Sequence, residues 1–410
     1  MKILLINNFH YRKGGSETVY FNTADMLRRD GHSVIFFSCI DEKNEKCEQN
    51  EFFVPQNSSC GFLKGAIRYI YNREAKSKLE KLIRTEKPDI AHLHLFWGGL
   101  SQSILDTLKR HHIPVVHTAH DYRMVCPAYM FRLPNGSLCE ACQGHKFYKC
   151  LLNRCSANSL VRSALMSLEA YMRNMLFKSL NKIDGVIYVS KFSQAKHDEY
   201  MPADGRPKRS VVIYNSSHSF ADKEAEMSHG SYFLYYGRIS EEKGITTLIR
   251  AFKEQPQAKL KIVGTGPQEN EIRELISKLN IHNIELLGYR TGDDLKQIVR
   301  NSQFVVVPSV VYENNPMTIV ESYSIGIPVI GSDIGGIPEI VRNGETGFLF
   351  SPNNVSELIN CLDKAMQLSN NEYKEMCLAA KSFANDYFDE NKNSVKLLDF
   401  YKSVIDNYEK

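Results

Sequence analysis

Nowhere in the 410 residues does an apolar run approach the roughly 20 that a bilayer-spanning helix needs. The opening "MKILLIN" passes straight into polar residues, too short for the apolar core of a secretory signal. The expectation is a cytoplasmic protein, soluble or peripheral at the inner face of a membrane. G-x-G-x-x-G is also missing after the first strand-like run, which gives dinucleotide binding little support. No Asp-x-Asp pair falls at a strand end, so a catalytic metal is not required. Disorder is excluded by composition, with 43% hydrophobic and 24% charged residues. A chain of this length is expected to form two domains of about 200 residues each.

The net charge of +4 conceals an asymmetry. Residues 1–213 hold 31 lysines and arginines against 20 acids, and the remainder holds 20 against 27. A basic N-terminal half beside an acidic C-terminal half points to an anionic partner for the first, with plain solvated charge as the alternative. Four of the ten cysteines crowd into "CEACQGHKFYKCLLNRC": Cys139, Cys142, Cys150 and Cys155, spaced C-x2-C-x7-C-x4-C. Without a secretory signal, such a cluster reads as a structural zinc site or as free buried thiols rather than a disulfide framework.

Short β-branched runs alternate with amphipathic stretches, first over residues 2–215 and again from 232 to 332. Repeated strand–helix–strand units imply parallel sheets covered by helices on both faces. The polar, aperiodic "NSSHSFADKEAEMSHG" at 215–230 divides the two series and reads as a linker. The fold expected is α/β: two doubly wound, Rossmann-like parallel-sheet domains, 1–214 and 231–388, facing across a cleft. A Cys-rich insertion spans about 126–155, and a final helix, 389–410, packs back toward the first domain.

Ligands of such sheets bind at the C-terminal ends of the strands. After the first strand, Gly14 and Gly15 precede Ser16, a candidate helix cap, and their backbone amides suit a phosphate. In "TAHDY", His120 and Asp121 end a strand, where a histidine can donate to a substrate hydroxyl. His92, His94 and His117 alternate along strands and are assigned to packing. In "YYGRISEEKG", Arg238 and Lys243 offer a fork and a point charge to a diphosphate. In "VYENNPMTIVESYSIGIPVI", a helix begins near Pro316, so the Met317 and Thr318 amides are open to a phosphate. Glu313 and Glu321 flank that helix start, and carboxylates accept paired hydrogen bonds from vicinal hydroxyls. Together these groups fit a sugar–diphosphate–ribose ligand.

"GGSE", "HTAHD", "GRISEEKG", "IVGTGP", the E-x7-E from Glu313 to Glu321 and "GIPVIGSDIGGIPEIV" together resemble the retaining glycosyltransferases of family 4, which have the GT-B fold. The resemblance covers essentially the whole chain. It implies that Gly14 and Gly15 approach the donor phosphate and that His120 meets the transferred sugar. Arg238, Lys243, Met317 and Thr318 hold the diphosphate, Glu313 the sugar hydroxyls and Glu321 the ribose. Members often have Phe-Gly where this chain has Asn315-Pro316, and proline offers no N–H. The Cys-rich segment resembles an insertion in some bacterial polysaccharide and cell-wall transferases.

The activity implied is transfer from a UDP- or GDP-sugar to a glycan or lipid-linked acceptor with retention, in cell-surface polysaccharide synthesis. No nucleic acid is expected as a partner, and no cofactor beyond the substrate and a structural zinc. No acid beside His120 suggests itself as a covalent nucleophile, so front-face attack is implied, with Arg238 and Lys243 stabilising the leaving diphosphate. The basic amphipathic segment 61–84, with Phe62, Ile67, Ile70 and Tyr71, reads either as a helix on an anionic membrane or as an ordinary domain helix. A sugar-nucleotide epimerase and a non-catalytic nucleotide-sugar-binding protein are the competing readings.

Overall fold

The computed structural model describes residues 1–201, 205–216 and 230–408. Most of the expected linker, 217–229, lies outside the described residues. The chain divides into two compact units, Met1–Tyr214 with Asn391–Lys410, and Asn215–Glu390.

The first unit carries β1 (Lys2–Ile6), β2 (Ser33–Phe37), β3 (Cys39–Ile40), β4 (Val54–Pro55), β5 (Ile90–Leu93), β6 (Val115–Ala119), β7 (Gly185–Tyr188) and β8 (Ser210–Val212). Its helices are α1 (Gly15–Arg29), α2 (Phe62–Ile70), α3 (Arg73–Glu86), α4 (Ser103–Arg110), α5 (Tyr148–Leu152), α6 (Leu160–Tyr171) and α7 (Lys191–Tyr200). The sheet is parallel, in the order β2-β1-β5-β6-β7-β8, with β3 and β4 as a separate pair. Ile3, Leu4, Leu5 and Ile6 are all fully buried, as a strand covered on both faces requires.

The second unit repeats the plan. Its strands are β9 (Phe233–Tyr236), β10 (Leu260–Val263), β11 (Ile284–Gly288), β12 (Phe304–Val307), β13 (Val329–Ser332) and β14 (Gly347–Phe350). They form a parallel sheet in the order β11-β10-β9-β12-β13-β14. Between and after them run α8 (Ile245–Lys253), α9 (Glu269–Lys278), α10 (Gly292–Arg300), α11 (Met317–Ser324), α12 (Ile337–Ile340), α13 (Val355–Gln367) and α14 (Asn370–Tyr387).

The last helix, α15 (Glu390–Asp406), belongs almost wholly to the first unit. Leu397, Phe400, Tyr401 and Val404 recur at helical spacing and join the core formed by Ile3, Leu5, Ile90, Val116 and Ile187. Gly185 permits this packing, since a Cβ there would lie 2.7 Å from Phe400 and 2.9 Å from Val404. The Tyr401 hydroxyl lies 2.6 Å from His92 Nδ1, and His92 Nε2 lies 2.6 Å from the Thr118 hydroxyl. A buried polar chain therefore ties the final helix to β5 and β6.

Three local expectations change. The 61–84 segment is two helices, because Tyr71 is extended and the Asn72 side chain caps α3 by accepting from the Ala75 amide. Ser16 does not cap α1; extended Gly14 does, and the Ser16 hydroxyl instead donates to Glu17. Pro316 precedes α11 as its cap rather than occupying the first helical position. Its carbonyl accepts from Ile319 and Val320, so the Met317 and Thr318 amides stand outside the helical ladder.

Tyr401→Phe would leave a buried histidine nitrogen without its partner and cost about 1–3 kcal/mol. The expected readout is a lower urea midpoint at unchanged m-value, and an unchanged midpoint would contradict the bridging role.

Candidate active site

In a doubly wound sheet the crevice opens where strand order reverses, at the C-terminal ends of the two central strands. In the second unit these are β9 and β12. The β9 exit loop carries Arg238 and Lys243, and the β12 exit loop carries Glu313. The Lys243 ammonium donates to Glu313 Oε1 at 2.6 Å, and the Ser309 hydroxyl donates to the same oxygen at 2.7 Å. Burial pushes the Glu313 carboxyl up, but Lys243 and Ser309 outweigh it and hold the group below the usual carboxylate range. An ammonium has three N–H donors, so Lys243 keeps two for a ligand, and Glu313 keeps Oε2.

Backbone contacts fix these loops. The Val310 amide donates to the Glu242 carbonyl, joining the β9 and β12 exits. The Tyr235 hydroxyl donates to the Arg238 carbonyl at 2.6 Å, which sets the exposed Arg238 at the rim. Behind Glu313, Gly335 has φ +64°, and a Cβ there would lie 2.6 Å from the Glu313 carbonyl oxygen. The Gly336 amide donates to that carbonyl at 2.6 Å, so "DIGGIP" braces the acid from the β13 exit. Asn315 holds a different contact: its side-chain and backbone oxygens accept from the backbone amide and the side chain of Asn215.

Glu321 sits in the second turn of α11, beside the hydroxyl of buried Tyr236. Burial raises its carboxyl to about 7, against the Tyr236 hydroxyl, which pulls the other way. Tyr236 itself donates to the Thr318 carbonyl at 2.8 Å. A hollow bordered by Ser231, Tyr232, Lys261 and Asn301 opens at the opposite, N-terminal edge of this sheet and includes none of these groups.

In the first unit the central strands are β1 and β5. Asn7 and Asn8, leaving β1, tie it to the β5 exit: Asn7 Oδ1 accepts from the Leu95 amide and Asn8 Oδ1 from that of Leu100. Gly14 and Gly15 are exposed at the start of α1. Glu17, only 3% exposed, lies directly beneath them, and burial raises its carboxyl. This acid already complements the positive helix end, which weakens the case for the glycine pair as a phosphate site on its own.

His120 is half-buried at the end of β6, and its Nε2 lies 2.8 Å from His94 Nδ1. His94 is therefore not mere packing, contrary to expectation. His92 bridges Thr118 and Tyr401, while His117 Nδ1 meets the Leu93 carbonyl at 3.0 Å. Asp121 accepts from the Arg123 amide at 2.9 Å, so the acid next to His120 is engaged in its own turn. Fully buried Arg173 donates to the Arg123 carbonyl and lies 3.4 Å from Glu169, bracing the same loop.

The four candidate zinc ligands, Cys139, Cys142, Cys150 and Cys155, lie in one neighbourhood. The free thiols of Cys150 and Cys155 are hydrogen-bonded to each other, and Cys139 Sγ accepts from the Asn153 side-chain Nδ2 at 3.8 Å. Among the described residues no three His, Cys, Asp or Glu side chains are grouped to hold a metal ion. Burial first, and then Cys126, outside the expected four, push up the Cys142 thiol.

Ser309, Tyr235 and Tyr236 contact the candidate site without having been singled out in the sequence, and His94, assigned there to packing, meets His120. Ser309 had a signal, as the first polar residue after "FVVVP". The tyrosines did not, because their rings belong to a strand core and only their hydroxyls reach the site.

Paired parallel sheets with charged groups at the reversal of strand order define a ligand-binding α/β protein. Two family matches sharpen this: "Glycosyltransferase Family 4" over residues 13–216 and "Glycosyl transferases group 1" over residues 218–383. The chain belongs to the group 1 glycosyltransferases, and its fold is GT-B. It is 34% identical to an uncharacterised glycosyltransferase of Methanocaldococcus jannaschii over 46% of this chain, a match that takes in half of that relative's length. An uncharacterised 42.6 kDa protein in the cps region of Klebsiella pneumoniae is 25% identical over 83% of this chain and 88% of its own. Anabaena HepE, solved with UDP and glucose, superposes with a TM-score of 0.68 at 21% identity, over 98% of this chain and all of that one.

Glu321 supplies a test of the site's electrostatics. Folded, it holds its proton up to pH about 7, whereas its ordinary value is 4.5. The folded state binds more protons between these values, so stability should fall as pH rises through that window. Glu321→Gln should flatten the slope of urea midpoints between pH 5 and 8; an unchanged slope would contradict the assignment.

Proposed function

We propose that this protein transfers a sugar from a nucleoside-diphosphate sugar to a glycan or lipid-linked acceptor, with retention of anomeric configuration. The observation that carries the reading is the grouping of Arg238, Lys243, Glu313, the first amides of α11 and Glu321 around one reversal of strand order. Cations and amides suit a diphosphate, Glu313 the sugar hydroxyls and Glu321 the ribose diol. The UDP and glucose complex of Anabaena HepE supports this donor class, with UDP- and GDP-sugars as the candidates.

In the reaction the bond between the anomeric carbon and the diphosphate oxygen breaks, and the acceptor oxygen bonds to that carbon from the same face. The acceptor's proton passes to the departing diphosphate. Arg238, Lys243 and the Met317 and Thr318 amides stabilise the charge that develops on the leaving group. His120 is assigned to the transferred sugar, and Asp121, already bonded to the Arg123 amide, is not used as a nucleophile. No step calls on a metal. The Klebsiella relative's place in a cps region supports cell-surface polysaccharide as the product class.

The first unit also offers a surface for the acceptor's membrane. Phe62, Leu63 and Ile67 are 66%, 77% and 68% exposed on α2, which packs against α6. Leu160, Val161 and Leu168 of α6, then Met175 and Leu176, continue the apolar area, and Lys64, Arg162 and Lys178 are exposed among them. Apolar side chains interleaved with cations suit an anionic bilayer. No helix among the described residues is long and apolar enough to cross a membrane.

Lys243→Ala and Glu313→Ala should each lower kcat/KM at least about tenfold, on the order of 1.4 kcal/mol. Wild-type rates in both would remove the proposed donor site. Co-sedimentation with phosphatidylglycerol vesicles should weaken in Leu63→Ser/Ile67→Ser, and binding indifferent to that change or to lipid charge would contradict the surface.

A further inference from the structure

His94 and His120 form a pair whose proton positions the surroundings restrict. His94 directly follows β5 at the reversal of strand order in the first unit, and His120 directly follows β6. Their rings lie 5.1 Å apart with planes 20° from parallel, and His94 Nδ1 and His120 Nε2 are 2.8 Å apart. Burial lowers both rings, His120 to about 3 and His94 well below its usual value, so both are neutral near neutral pH. A neutral imidazole has one N–H and one lone pair. One ring must therefore donate and the other accept.

The two arrangements are not equivalent. If His120 Nε2–H donated, His94 would carry its own proton on Nε2. That atom is buried and has no hydrogen-bond partner among the described residues, and a buried N–H without an acceptor is the rarer and costlier defect. If His94 Nδ1–H donates, only a lone pair is left there. The His94 ring is also held in place: its backbone amide donates to the Ile6 carbonyl, and the ring packs edge-on against buried Tyr20.

We infer that His94 is a positioning residue, whose Nδ1–H donates to His120 Nε2 and so fixes His120 as the tautomer with its proton on Nδ1. His120 then meets substrate as a hydrogen-bond donor through Nδ1, and its basic nitrogen is withheld. That fits a reaction in which the leaving diphosphate, not a side chain, takes the acceptor's proton; the catalytic consequence rests on the proposed glycosyl transfer, while the tautomer does not.

The test combines nitrogen-15 histidine NMR with kinetics on the full chain, using His94→Asn and His94→Phe. Asparagine places an N–H where Nδ1 stood, and phenylalanine keeps the ring without a donor. The expected result is His120 protonated on Nδ1 in the wild type and in His94→Asn, and redistributed toward Nε2–H in His94→Phe. In transfer assays His94→Phe should lose about tenfold or more in kcat with donor KM within about twofold, and His94→Asn should recover most of it. His120 protonated on Nε2 in the wild type, or unchanged by His94→Phe, would overturn the inference. If the wild type transfers no sugar but the tautomer shifts as described, the proposed function fails and the pairing stands.

Discussion

The ion pair between Lys243 and Glu313 is the contact on which the second unit's candidate site depends. It joins residues 70 positions apart, across the two loops that leave the central strands. Neither loop holds its shape through helix or sheet hydrogen bonds alone. The pair, the Val310 amide on the Glu242 carbonyl and the Gly335–Gly336 brace lock them into one body. A buried carboxylate is tolerable only when its charge is met, and here Lys243 and Ser309 meet one oxygen while the other stays available. The same interaction thus stabilises the loop and aims the acid.

Most of this architecture could be read from the chain, because its signals are local. Continuous β-branched runs marked buried strands, and their alternation with amphipathic stretches marked parallel sheets. Arg238, Lys243, Glu313 and Glu321 were legible as candidates because charge beside a strand exit is conspicuous. What could not be read depends on geometry between distant residues. That Lys243 and Glu313 bond to each other, that Asn315 serves Asn215, and that Tyr235 and Tyr236 reach the site with their hydroxyls all require the folded backbone. Glu321's raised carboxyl is likewise a property of burial, which spacing alone does not disclose.

The histidines show the same limit from the other side. Alternation along the strand assigns His92 and His94 to packing. Placed side by side with β6, they form two polar rungs, His92 with Thr118 and His94 with His120. The lower rung is anchored by Tyr401 from the last helix, some 300 residues away in the chain. The cysteine spacing was legible as a cluster, and the fold adds to it Cys126, which lies 13 positions before the first of the four.

In the proposed function the second unit holds a nucleoside-diphosphate sugar between Arg238, Lys243 and the two glutamates. Thermal unfolding of the full chain with a panel of UDP- and GDP-sugars tests this most directly. A donor at about 100 times its Kd should stabilise the wild type by about 2.7 kcal/mol. The same donor should give Lys243→Ala clearly less. No stabilisation by any nucleotide sugar, or equal stabilisation of the variant, would contradict the assignment.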